Sequence, residues 1–120
     1  MEDYVSFEIA KLLKEKGFDE YCYTFYDWDS EEFYREERIP CCNSRGDDYA
    51  APTLQMAMKW FREVHHLTID VFHHLDWKVC IKAIPDDYFK ADYSHPELKP
   101  TKTYEEACEA GIKYCLENLI

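Results

Sequence analysis

The sequence predicts an α+β domain in which an antiparallel sheet packs against helices, in the order α-β-β-α-β-β-α. Three segments place apolar residues at helical spacing, three others alternate in β-favouring residues, and with a charged run that reads as a fourth strand these fall into two neighbouring pairs joined by short turns. A length of 120 residues points to a single domain spanning residues 1–120.

The first helix is expected over Ser6–Lys16, where Val5, Ile9, Leu12 and Leu13 recur along one face. Gly17 ends it, because glycine takes the left-handed conformation without a Cβ penalty, and Phe18 behind it returns to Leu13 in a Schellman arrangement. Tyr21, Tyr23 and Phe25 alternate with Cys22, Thr24 and Tyr26, which reads as a strand. Asp27-Trp28-Asp29-Ser30 has turn chemistry, and Glu31–Ile39 reads as a charged edge strand stopped by Pro40. Residues Pro40–Ala51 hold Pro, Asn, Ser, Gly and paired Asp without periodicity, the pattern of a long loop.

The second helix starts near Pro52, with Leu54, Ala57, Met58, Phe61 and His65 on one face and Trp60 and Val64 widening the stripe. His65 sits at the helix end and His66 at a left-handed cap. Leu67–His73 and Trp77–Ile84 follow as a hairpin joined by His74-Leu75-Asp76. The last helix opens on a capping box, Thr103 with Glu106, and buries Cys108, Ile112, Cys115 and Leu119, with Ala107, Ala110 and Gly111 keeping an adjacent strip small.

Charge excludes more than it identifies. The net charge of −11 repels phosphate backbones and anionic membranes, so neither direct nucleic-acid binding nor membrane binding is expected, and basic or neutral protein partners fit better. Nine acids against three bases between Glu15 and Arg38 make that region the acidic pole. No apolar run is long enough to span a bilayer, and the opening MEDYVSFEIAKLLKEKG interrupts its apolar residues with charges; a cytoplasmic setting, with six reduced thiols, is the expectation.

Tyr4–Glu20 (YVSFEIAKLLKEKGFDE), Ala51–Phe72 (APTLQMAMKWFREVHHLTIDVF) and Pro100–Ile120 (PTKTYEEACEAGIKYCLENLI) resemble an uncharacterised family of small proteins from gut anaerobic bacteria and their phages or mobile elements. The resemblance implies one domain and a bacterial or phage cytoplasmic setting, and carries no catalytic residue. The segment Tyr21–Ala50 falls outside it.

Candidate chemistry is sparse. His65, His66, His73 and His74 with Asp70 supply metal-type ligands, yet adjacent strand residues point to opposite faces, and Asp70 and His74 are separated by roughly 13 Å of strand. No metal and no cofactor is therefore expected, with His65, Asp70, His73 and His74 the only metal candidates. Cys41-Cys42, with Arg45 nearby to favour a thiolate, lacks the positioned base that nucleophilic catalysis needs. Adjacent acids such as Glu36-Glu37 and Asp86-Asp87 are expected by chance among 25 acids. The unusual feature is aromatic: Tyr21, Tyr23, Phe25, Tyr26, Trp28 and Tyr34 crowd the acidic first hairpin, and rings on both faces of one hairpin cannot all enter one core. These residues suggest a non-enzymatic protein-binding or assembly module, acting on a partner or by homodimerisation. The alternatives are an acidic phage-type inhibitor that mimics nucleic acid, and a small metal- or cysteine-dependent enzyme.

Overall fold

A computed structural model describes residues 3–36, 38–86 and 88–120. Glu37 and Asp87, each half of a carboxylate pair named above, lie outside the described residues. The fold is α+β, with three α-helices and two three-stranded antiparallel sheets among the described residues. One sheet was expected. The chain divides instead into two compact units, Met1–Thr53 and Leu54–Ile120, each with a sheet of its own.

In the first unit, α1 (Phe7–Glu15) starts where Ser6 Oγ accepts from Ile9 N–H at 3.4 Å. It ends as the sequence requires: Gly17 has φ +94°, Phe18 N–H reaches Leu13 C=O at 2.9 Å, and Gly17 N–H reaches Lys14 C=O at 3.2 Å. Phe18 and Leu13 are both fully buried. The strands are β1 (Thr24–Tyr26), β2 (Phe33–Arg35) and β3 (Tyr49–Ala50), in the order β2-β1-β3. The first two are shorter than the strands read from the sequence, and β3 lies inside the segment read as a loop. Two residues are too few to show a period, so β3 has no sequence signature; it forms because Ala51 N–H finds Thr24 C=O and Thr24 Oγ1 donates to Ala51 C=O. Asn43 helps to hold this return, donating to Phe18 C=O and accepting from Ala50 N–H.

In the second unit, α2 (Leu54–Val64) buries Leu54, Ala57, Met58, Trp60 and Phe61. Val64 does not join that stripe; it is 53 % exposed. His66 has φ +55°, the expected left-handed cap. The sheet runs β4 (Leu67–His74), β5 (Asp76–Ala83) and β6 (Tyr88–Asp92), with His74 paired to Asp76 so that Leu75 alone turns the hairpin. Strand β6 was not anticipated. Its register steps from Ile81 opposite Ala91 to Lys82 opposite Phe89, leaving Lys90 as an extra residue that erases the period of two.

A 3₁₀ turn (Pro96–Leu98) leads to α3 (Tyr104–Tyr114), capped by Thr103 Oγ1 accepting from Glu106 N–H at 3.1 Å. The Glu106 carboxylate accepts from the Thr103 hydroxyl at 3.0 Å, where the sequence suggested it would reach the backbone. The closing turn, Cys115–Leu119, is a π-helix, and its larger number of residues per turn shifts the buried face to Leu116 in place of the expected Leu119. Helix α3 lies against the sheet face that carries Ile69 and Val79. No helix among the described residues is long and apolar enough to cross a membrane.

Candidate functional site

The turn after β1 is built by one carboxylate. Asp27 Oδ1 accepts the N–H groups of both Asp29 and Ser30 at 2.9 Å, and these bonds hold its carboxyl below the usual carboxylate range. Glu31 follows with φ +61°, and Asp27 N–H donates to Glu32 C=O to close the hairpin. Trp28 sits at the tip of this turn, 55 % exposed, with its backbone N–H on Asp48 Oδ1.

Burial alternates along the chain into β1. Cys22 and Thr24 are buried, whereas Tyr21 and Tyr23 are 55 % and 52 % exposed. Phe25 is half-buried and stacks on Tyr34, its cross-strand partner, with centroids 5.7 Å apart. Tyr34 is itself exposed, and its hydroxyl donates to Glu32 Oε2 at 2.7 Å, a bond that raises its pKa. Tyr21 carries the Arg45 guanidinium over its ring. The structure thus presents Tyr21, Tyr23, Trp28 and Tyr34 to solvent, with Phe25 supporting Tyr34, among Glu20, Asp29, Glu31, Glu32 and Glu36.

Tyr26 belongs to the other face. Its hydroxyl donates to Val5 C=O at 2.7 Å and its ring meets Phe7 and Phe33 edge-on, so it is a structural residue of the first unit. Strand alternation separates it from Tyr23 and Phe25, as expected.

The histidines are dispersed. His65 packs on Trp60 and Phe61, and burial, then the neighbouring His66, holds its pKa below the ordinary value. His73 lies edge-on to Trp77, its cross-strand partner, while His74 is set opposite Asp76 on the other face with Asp70. Among the described residues, no three His, Cys, Asp or Glu side chains form a metal-binding group.

All six cysteines are free thiols. Cys41 faces Cys22 across an isolated bridge, and burial, then Asp48, raises its pKa; the Arg45 charge that was expected to favour a thiolate is over Tyr21 instead. Cys42 is buried beside Ser44. Burial pushes Cys22 and Cys115 up to about 12 from 9.0. Because the folded chain holds these protons more tightly than the unfolded one, their contribution to stability is present below the unfolded value and lost as pH rises from 9.0 towards about 12. In mildly alkaline buffer a disulfide thiol reagent should modify half-buried Cys41 and Cys80 well before Cys22, Cys42, Cys108 and Cys115, which wait on unfolding. A single fast phase for all six thiols would contradict this burial.

Two clefts are already compensated. One of about 450 Å³ is lined by Glu97, Ala110, Lys113, Tyr114 and Glu117, and Glu97 accepts from Asn118. In the other, of about 290 Å³, Lys14 donates to the carbonyls of Gly46 and Asp48.

Sequence reasoning missed a second aromatic surface on the outer face of β4-β5-β6. Phe72 lies 6.1 Å from Tyr93, Lys78 Nζ lies 4.8 Å over the Tyr93 ring, and Phe89 is 55 % exposed. The alternating Lys78, Cys80 and Lys82 marked the open side, but β6 was needed to bring Phe89 and Tyr93 to it. No family model, curated protein or solved structure matches this chain.

Proposed function

We propose that this chain is a non-enzymatic protein-binding module whose first sheet takes a basic polypeptide. The observation that carries this reading is the exposure of Tyr21, Tyr23, Trp28 and Tyr34 together on one acidic hairpin. Aromatic rings bury large area at low entropic cost, and surrounding carboxylates attract a basic partner and repel acidic ones. Asp27 holds the turn with backbone bonds before any partner arrives, which lowers the ordering cost of binding at Trp28. The rings favour this reading over mimicry of nucleic acid, which needs only carboxylates. The resemblance of the three segments to bacterial and phage proteins supports a cytoplasmic setting.

A displayed library of random peptides, selected on the wild-type chain, tests it. Lysine- and arginine-rich sequences should be enriched, and binding of the selected peptide should weaken with salt. The triple variant Tyr23→Ser, Trp28→Ser, Tyr34→Ser should lose about 2 kcal/mol or more, roughly thirty-fold in Kd, while its melting temperature stays close to wild type. Enrichment indifferent to charge, or undiminished affinity in the triple variant, would refute the proposal.

A further inference from the structure

Strand β4 is the outer strand of the second sheet, whose order is β4-β5-β6. Its inner side is used along its whole length, with continuous pairing from Leu67 opposite Ala83 to His74 opposite Asp76. Its outer side is not. Trp77 exchanges both backbone bonds with Thr101, at 2.9 and 2.8 Å, and so turns its N–H and C=O away from β4. Bonded and non-bonded pairs alternate in an antiparallel ladder, so His73, opposite Trp77, also directs its backbone groups outward, as do Val71, Ile69 and Leu67. The bond from Ile84 N–H to His66 C=O has the same phase. Among the described residues, no strand or bridge pairs with this outer side.

Free edges are normally blunted by shortness, lysine, proline or a bulge. The opposite edge, β6, has five residues, Lys90 and the register shift. Strand β4 has eight residues and no lysine, proline or bulge, and Asp70, Phe72, His73 and His74 are exposed. Its one carboxylate has a complement on the same strand and the same face. When two copies of β4 run antiparallel about a two-fold axis at Phe72, Asp70 stands opposite the partner's His74, and Phe72 opposite the partner's Phe72. Val71 then exchanges backbone bonds with the partner's His73, and Leu75, 85 % exposed at the hairpin tip, comes beside the partner's Ile69. An axis at Asp70 would set carboxylate against carboxylate, and one at Val71 would set Asp70 against Phe72. Only the Phe72 axis matches charge and shape together.

We propose that the free edge of β4 binds a second copy of this chain, joining two three-stranded sheets into one six-stranded antiparallel sheet. This contact is independent of the basic-partner surface proposed for the first sheet. Sedimentation of the full chain should give a species of twice 14.4 kDa at high concentration. Amide exchange at Val71 and His73 should slow as concentration rises, a readout that needs no variant. Phe72→Lys, at a solvent-facing site, should weaken the dimer at least about tenfold by opposing like charges at the axis. Asp70→Lys should weaken it too, and Asp70→Lys with His74→Glu should restore it. A wild-type monomer up to millimolar concentration, a dimer indifferent to Phe72→Lys, or a double variant no tighter than Asp70→Lys alone overturns the proposal. The Tyr23, Trp28 and Tyr34 substitutions should leave the dimer intact, so failure here and failure of the basic-partner reading are separately visible.

Discussion

Replacing Phe61 with alanine should lower the unfolding free energy by about 3 to 5 kcal/mol. Its ring is fully buried in α2, 5.1 Å from Trp60 and 6.2 Å from His65, so removing it leaves a cavity as well as losing transfer energy. Against the roughly 6 to 18 kcal/mol available to a chain of this length, such a loss lowers the melting temperature by many degrees or prevents folding. Urea unfolding followed by circular dichroism measures it, with Val64→Ala as the control. Val64 lies on the same helix but is 53 % exposed, so its truncation should cost no more than about 0.5 kcal/mol. Equal losses at the two positions would mean that α2 is rotated from the orientation described.

Gly111→Val should destabilise by about 3 kcal/mol, the upper part of the range for overpacking. A Cβ at this position would stand 2.7 Å from Ile69 Cγ2 and 3.0 Å from Val79 Cγ2. Both neighbours are β-branched residues within strands, stiff about χ1, so they yield only by moving the backbone or leaving their rotamers. Ordinary helix propensity runs the other way, since glycine inside a helix is about 1 kcal/mol worse than alanine. A stabilised Gly111→Ala or Gly111→Val variant in thermal unfolding would show that α3 does not approach the sheet this closely.

That approach explains both a success and a limit of reading the sequence. Ala107, Ala110 and Gly111 marked a small-residue strip on α3, and the strip could be found from helical spacing alone. Its partners could not, because contact with Ile69 and Val79 depends on how the helix crosses the sheet. Similarly, the aromatic crowding of the first hairpin was visible in composition. Which rings face solvent followed from the register, which sets Phe25 opposite Tyr34 and Tyr26 opposite Phe33 and turns Tyr26 back to Val5.

The features legible in the chain before folding are local. The Schellman end at Gly17 and Phe18, the left-handed cap at His66, the Thr103 cap and the β4-β5 hairpin all depend on residues within a few positions of one another, where steric and hydrogen-bonding preferences act without the rest of the chain. Packing between distant segments set the division into two sheets, the strand β3, the bulged strand β6, the outward turn of Val64 and an outer edge of β4 that no strand or bridge among the described residues pairs. Each of these rests on pairing or packing between distant segments, and a two-residue strand or a shifted register leaves no periodic trace in the chain that forms it.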